Sequence, residues 1–345
     1  MSKVIHVGSV VIGGGNPVAI QSMTTTKTND VARTVSQIQQ LQGAGCEIVR
    51  VAVPDMESAR AISSIKKEIK IPLVADIHFD HNLAVESIKN GADKVRINPG
   101  NLSSEWKVIE VVRAATEYGV PIRVGANIGS VPDELFSRYS RPVALAEAGL
   151  KQVRLLEKHG FGEIVVSVKS SDVLETIEAT EYIARMTDYP VHIGVTEAGL
   201  YEDAIIRSSV ALGYLLLQGI GDTIRISVAG DPISEVIAAK KLLISLKMRK
   251  GFNLIACPTC ARAEIDVAQL SLEVQREMSD MNDMNITVAV MGCVVNGIGE
   301  GKHADIGVAG TKSGAVIFKN GRILKTVERS AILKELRKQI QLLVR

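Results

Sequence analysis

Over the first 245 residues, short β-branched apolar runs alternate eight times with longer amphipathic segments. The runs are Val18–Ser22, Glu47–Val51, Pro72–Asp76, Lys94–Ile97, Ile122–Gly125, Glu163–Lys169, Val191–Val195 and Thr223–Val228. Helical spacing fills the intervals. After Asp30, a capping residue, Val31, Val35, Ile38 and Leu41 recur on one face, with Gly43 near the end. Similar segments cover Ser58–Lys67, Leu83–Asn90, Glu105–Tyr118, Pro142–His159, Val173–Met186, Tyr201–Leu217 and Ile233–Leu246. Strands that are apolar throughout belong in a parallel sheet covered by helices on both faces. Eight such pairs in this length predict an α/β chain opening with a (β/α)8 TIM barrel, residues 1–245. A doubly wound open sheet is the alternative, but no phosphate-binding glycine fingerprint follows the first strand. Gly13-Gly14-Gly15, between two apolar N-terminal runs, reads as a hairpin turn.

The pattern changes after the basic linker Lys247-Met248-Arg249-Lys250-Gly251. A strand at Asn253–Ala256, a helix to about Met278, a strand at Ile286–Met291 and a glycine-rich stretch, Gly292–Gly301, come next. Val316–Phe318 and Ile323–Val327 flank Lys319-Asn320-Gly321, a strong hairpin signal, and a helix from about Ala331 to Leu343 closes the chain. Residues 246–345 are therefore expected to form a small α+β domain.

With 46% apolar and 23% charged residues the chain has an ordinary globular composition, and 40 Lys+Arg against 38 Asp+Glu leave a net charge of +2. That near-balance argues against a coat for nucleic acid or a membrane surface. No apolar run reaches the ~20 residues that span a bilayer, and Met1–Val11 lacks the pattern of a secretory signal; a cytoplasmic location is expected. The charge is unevenly divided, however. Residues 246–345 hold 15 basic and 10 acidic side chains, and residues 1–245 hold 25 and 28.

Barrel strands are normally apolar, yet Arg50, Arg96, Arg123, Lys169 and Arg225 stand at or near strand ends. An unpaired charge buried in the sheet costs several kcal/mol, so these side chains are expected at a wet or charged place. The C-terminal strand ends of a TIM barrel surround its active-site mouth. Five cations there suit a diphosphate or similar polyanion; the bland alternative is internal pairing with Asp76, Glu163 or Glu197. His78, Asn98, Asn127 and Thr196 lie at the same level, as does Glu197, which either neutralises an arginine or shuttles a proton.

Cys257 and Cys260, as C-x-x-C, and Cys293 are three of the four cysteines. In a cytoplasmic chain this cluster points to metal or redox chemistry, not to a disulfide framework. Three readings are open: an iron–sulfur cluster, a zinc site completed by His303 or Glu300, or redox-active thiols. Glycines in Gly292–Gly301 would let backbone approach a bulky cluster. Cys46 reads as a small core residue.

Cys257-Pro-Thr-Cys260 with Met291-Gly-Cys-Val-Val-Asn-Gly-Ile-Gly-Glu300 closely resembles the cluster motifs of the 4-hydroxy-3-methylbut-2-enyl diphosphate synthase family. The resemblance extends along the barrel, in Gln21-Ser22-Met23-Thr24, Val49-Arg-Val-Ala-Val-Pro54, Ala75-Asp-Ile-His-Phe-Asp80, Val95-Arg-Ile-Asn-Pro-Gly100 and Arg123-Val-Gly-Ala-Asn-Ile-Gly129. It implies a [4Fe–4S] cluster held by Cys257, Cys260, Cys293 and Glu300 in the second, iron–sulfur domain. It also implies a substrate, 2-C-methyl-D-erythritol 2,4-cyclodiphosphate, bound by Arg50, His78, Arg96, Arg123, Asn127, Lys169, Thr196, Arg225 and Ser227. The family reduces this compound with two electrons and loss of water, taking electrons from reduced flavodoxin or ferredoxin, and works as a head-to-tail homodimer. Glu197 is the candidate for proton handling, and Asn296 for positioning the ligand near the cluster. The competing readings are a phosphosugar or pterin enzyme with a zinc-stapled domain, and a redox sensor.

Overall fold

The computed structural model describes residues 1–98, 102, 104–278 and 284–343. Pro99 and Gly100, at the end of the Val95–Gly100 motif, lie outside them. The chain divides into two compact units, Met1–Leu242 and Leu243–Arg345.

The first unit begins with a hairpin, β1 (Ile5–Val7) and β2 (Val10–Ile12), and continues with the barrel strands. These are β3 (Ala19–Met23), β4 (Ile48–Ala52), β5 (Leu73–Asp76), β6 (Lys94–Arg96), β7 (Ile122–Asn127), β8 (Ile164–Lys169), β9 (His192–Ile193) and β10 (Thr223–Ile224). The spatial order is β8-β7-β6-β5-β4-β3-β10-β9, every pair parallel. A bridge between Val166 and Val191 brings β8 against β9 and closes the circle, so the open-sheet alternative falls. Outside run α1 (Val31–Ala44), α2 (Met56–Glu68), α3 (His81–Lys89), α4 (Glu105–Tyr118), the one-turn α5 (Asp133–Phe136), α6 (Arg141–Lys158), α7 (Val173–Met186), α8 (Tyr201–Leu217) and α9 (Pro232–Ser245). Four helices start under a carboxylate cap: Asp30, Asp55, Asp80 and Asp172 accept from the backbone N–H of Arg33, Ser58, Asn82 and Glu175.

The N-terminal hairpin plugs one end of the barrel. Ile5, Val7 and Ile12 pack on Ala19, Ile48, Val74 and Val165, all near the N-terminal ends of their strands. The opposite, C-terminal end is thereby left as the open mouth. The hairpin turns at Gly8, which has φ 54°, and not at the glycine triplet. Gly13, Gly14 and Gly15 follow β2, all at positive φ, and lead the chain toward β3.

The second unit is a mixed sheet in the order β11 (Phe252–Ala256), β12 (Ile286–Met291), β13 (Ile306–Thr311), β14 (Gly314–Lys319), β15 (Arg322–Val327). The first three strands are parallel and the last two antiparallel. The β14–β15 turn uses Asn320 and Gly321, at φ 48° and 74°, as the hairpin signal requires. Helices α10 (Val267–Glu277) and α12 (Ile332–Leu343) bury Val267, Leu270, Val274, Ile332, Leu336 and Ile340 on one face, against Val288, Val290, Val308 and Ile317. Ala289, Met291, Ala309 and Phe318 form the other face, where α11 (Val294–Glu300) packs. β13, the short α5 and α11 are not read from the sequence. Among the described residues no helix is long and apolar enough to cross a membrane.

Candidate active site

Strand alternation aims every second side chain of β3–β10 into the barrel. At the C-terminal ends this creates a pocket of about 130 Å³. Its wall holds Arg50, His78, Arg96, Arg123, Asn127, Lys169, Thr196, Arg225 and Ser227, together with Asp76, Val124, Gly125 and Ser167. All nine side chains assigned to a diphosphate by resemblance thus meet in one place.

Two carboxylates organise the cations. Asp76 lies 3.7 Å from Arg50 Nε and 3.2 Å from Arg96 Nη1, and His78 Nε2 is 3.5 Å away. Burial opposes its ionisation, but the His78 hydrogen bond and the arginines Arg50, Arg96 and Arg123 override this and hold the carboxyl well below its usual range. The second carboxylate is Glu235, near the start of α9 and 2% exposed. Arg225 donates to it through both Nε and Nη2, each at 3.1 Å, while Ser22 Oγ and the Val228 N–H donate at 2.9 and 3.0 Å. Pairing with Asp76 was anticipated, and Glu235 was not. Its only sequence signal is an acidic residue in the first turn of a helix, which reads equally well as a dipole partner.

Arg123 and Lys169 have no such carboxylate contact among the described residues. Arg123 is 2% exposed and its Nε finds no protein partner. Burial, then Arg50 and Arg96, lower its proton affinity well below normal; a guanidinium nevertheless keeps its charge. Lys169 is buried, with Nζ 3.2 Å from His192 Nε2, and His192 Nδ1 lies 2.8 Å from Thr223 Oγ1. Burial and the surrounding arginines push the Lys169 pKa far down. Burial and Lys169 do the same to His192, which is neutral. Room for the Lys169 chain depends on Gly194, where a Cβ would stand 2.9 Å from Nζ and 2.5 Å from the Arg225 carbonyl. One layer deeper is Lys94, on the same face of β6 as Arg96. It has no exposed surface and, among the described residues, no hydrogen-bond partner for Nζ, and burial with Arg123 and Arg50 lowers its pKa to about 7. The pocket is an electrostatic host prepared for an anion.

Glu197 occupies the loop after β9, exposed and in the left-handed region at φ 51°, next to the pocket residue Thr196 but not in its wall.

In the second unit, Cys257 follows β11 and Cys293 caps α11, whose last residue is Glu300. The Gly292 N–H donates to Cys257 Sγ at 3.0 Å, tying the two cysteine-bearing loops together. The N–H groups of Asn296 and Val295 lower the Cys293 pKa, with Arg262 adding to them. Cys260, Asn296 and Glu300 are exposed. Among the described residues no three His, Cys, Asp or Glu side chains converge closely enough for a single metal ion. Three half-exposed or exposed thiols on two loops, one a sulfur acceptor for backbone N–H and one biased toward thiolate, are a donor set that fits a thiolate-held metal or cluster. Two glycines of Gly292–Gly301 have a packing use. The segment from Val294 is helical, and a Cβ at Gly297 would stand 2.6 Å from Met291, one at Gly301 2.6 Å from Phe318. These two glycines seat α11 on the sheet. Cys46 is a core thiol, raised by burial to about 12.

A family model described as the GcpE TIM-barrel domain matches residues 2–240, and one described as the GcpE protein C-terminal domain matches residues 253–342. The chain belongs to the GcpE family. A GcpE relative from Thermotoga petrophila, named 4-hydroxy-3-methylbut-2-en-1-yl diphosphate synthase (flavodoxin), is 58% identical over 337 residues, covering 98% of this chain and 96% of its own. A protein of the same name from Caldicellulosiruptor saccharolyticus is 53% identical over 342 residues, covering 99% and 98%. Among solved structures, dihydropteroate synthase from Stenotrophomonas maltophilia aligns with a TM-score of 0.54 at 14% identity, covering 71% of this chain and 98% of that one. That likeness shows the barrel fold and carries no pterin activity to this GcpE chain.

Proposed function

We propose that the protein is a flavodoxin-dependent 4-hydroxy-3-methylbut-2-enyl diphosphate synthase of isoprenoid biosynthesis. It converts 2-C-methyl-D-erythritol 2,4-cyclodiphosphate into (E)-4-hydroxy-3-methylbut-2-enyl diphosphate by reductive ring opening and dehydration. The observation that carries this reading is the convergence of Arg50, Arg96, Arg123, Lys169 and Arg225 on one pocket, in a chain 58% identical to a relative of that name. Flavodoxin comes from the relatives' names; ferredoxin is the other acidic donor that the +5 balance of residues 246–345 suits. A cytoplasmic location accompanies this reading.

In the first domain, residues 1–245, the cations fix the diphosphate. Each charge-assisted hydrogen bond contributes about 1.5–3 kcal/mol in such a dry setting. His78, Asn127, Thr196 and Ser227 complete the orientation, and Glu197, in its strained loop, handles a proton at the substrate's hydroxyl end. In the second domain, residues 246–345, Cys257, Cys260, Cys293 and Glu300 would hold a [4Fe–4S] cluster. When bound, that cluster would supply electrons one at a time. Asn296 positions the ligand beside it. A homodimer fits the exposed apolar stripe of α8, where Ile206, Val210, Tyr214 and Leu217 stand at helical spacing; the family's head-to-tail arrangement is our reading of it.

Anaerobic reconstitution tests the proposal. About four irons per chain, lost together with activity in Cys293→Ser, are expected. A single tightly held zinc would favour the barrel enzyme with a zinc-stapled domain and would end the reading.

A further inference from the structure

We propose that Lys94, beneath the pocket floor, takes up a proton when the diphosphate binds, so that substrate arrives with a proton loaded into the barrel. This rests on the proposed function for the identity of the ligand.

The geometry is unusual for a lysine. Lys94 has no exposed surface and its Nζ has no hydrogen-bond partner among the described residues, although it stands within a charged interior. Charged or titratable groups stand on or just after every barrel strand but one. Arg50 lies on β4, Asp76 on β5, Arg96 on β6, Arg123 on β7, Lys169 on β8 and His192 on β9, and Arg225 just after β10, whereas β3 contributes the neutral Gln21; of these, Arg123, Arg50 and His192 interact with Lys94 electrostatically. His78, just after β5, adds a titratable group at the mouth. The carboxylates are spoken for: Asp76 pairs with Arg50 and Arg96, and Glu235 with Arg225. The neighbour Asp93 pairs with Lys66. With the pocket empty, an ammonium at Lys94 therefore meets arginines and no carboxylate of its own among the described residues, and a buried amine in that position sheds its proton. The causes that lower its pKa are burial, Arg123 and Arg50, and both arginines line the pocket. A dianion seated on Arg123 and Arg50 cancels their field at Lys94, and the amine regains its proton. Lys94 does not line the pocket, so its role is to hold charge and not to contact substrate.

The chemistry gives this uptake a use. In charge-balanced form, the cyclic dianion plus two electrons plus one proton yields the trianionic product and water. The overall reaction thus draws one proton per turnover, and binding would bring one into the barrel before the electrons arrive.

The test is isothermal calorimetry of the full-length, cluster-loaded protein at pH 8, in two buffers of different ionisation enthalpy. Each phosphorus of the cyclic diphosphate carries one ester and one anhydride linkage and a single, strongly acidic hydroxyl, so it has no ionisation near neutrality and any proton exchanged belongs to the protein. At pH 8 a group with pKa about 7 is mostly deprotonated, and about half a proton or more is expected to enter per chain on binding. In Lys94→Met the uptake should fall at least twofold while the ligand still binds. A wild-type readout guards against a misfolded variant: affinity should tighten as pH falls from 9 to 7, approaching tenfold per pH unit. Binding without buffer-dependent heat, or uptake unchanged in Lys94→Met, would overturn the inference and leave the function standing. Sulfate, also a dianion at these pH values, serves as a second probe. Proton uptake with sulfate but no binding of the cyclic diphosphate would sink the functional reading and keep the inference. No binding of either anion overturns both.

Discussion

Arg225 enters the pocket on the arm of Glu235, and changing that glutamate to glutamine gives a sharp prediction. Both nitrogens on one side of the Arg225 fork are committed to Glu235, at 3.1 Å each, and Ser22 Oγ and the Val228 N–H lock the carboxylate from behind. The variant keeps the shape but turns one acceptor into a donor facing donors. Arg225 then loses its aim, and one charge-assisted hydrogen bond to a diphosphate oxygen, about 1.5–3 kcal/mol, goes with it. KM for the cyclic diphosphate should rise roughly 10- to 100-fold. The cluster's electron paramagnetic resonance signal should not change. Glu235→Ala should in addition cost about 3–5 kcal/mol of stability, because a buried guanidinium is left unpaired. Steady-state kinetics under anaerobic conditions, with thermal unfolding alongside, separates the two effects, and Glu235→Asp should recover part of the lost affinity. The opposite sign is physically possible: removing a negative charge beside a cationic pocket strengthens its attraction for anions. An unchanged or lower KM in folded Glu235→Gln would refute the positioning role and make Glu235 a charge brake.

Lys94→Met should stabilise the protein at pH 7 by about 4 kcal/mol, since holding an amine neutral costs about 1.4 kcal/mol per unit below its free value. The unfolded chain binds more protons between pH 7 and about 10.4, so wild-type stability rises across that window and the variant's advantage shrinks with it. Denaturant titrations at pH 7 and 9 decide this, and a gain that does not depend on pH would contradict it. Gly307→Ala places a Cβ 2.2 Å from Phe318 Cζ; overpacking should cost about 1–3 kcal/mol, visible as a lower unfolding temperature. Glu300→Ala should impair turnover with the diphosphate still bound at wild-type affinity, read by kinetics beside calorimetry.

The barrel was legible because its signals are local. Continuous apolar strands, aspartate caps and amphipathic helices each state their role within a dozen residues. The pocket was legible for a related reason: a cation closing an apolar strand must go somewhere polar, and closure of the barrel brings those ends together. Glu235 and Lys94 were not visible, since each depends on where a side chain points after folding. Lys94 begins a strand, where a lysine commonly reaches solvent, and only the pleat of β6 turns it inward with Arg96. Strand β13 was hidden by Gly307 and Gly310, which weaken a strand signal; Gly307 is required because the Phe318 ring fills the space a side chain would take. The cysteine motif points to metal or redox chemistry by its spacing, but the seating of α11 on the sheet through Gly297 and Gly301 is a purpose that spacing cannot reveal.

The most direct measurement is product analysis of the reconstituted protein, under anaerobic conditions, with 2-C-methyl-D-erythritol 2,4-cyclodiphosphate and a strong one-electron reductant. Formation of (E)-4-hydroxy-3-methylbut-2-enyl diphosphate at two electrons per molecule, abolished in Cys293→Ser and strongly reduced in Arg123→Ala, is the predicted result. Unconsumed cyclic diphosphate in the presence of a fully loaded, reducible cluster would contradict the account.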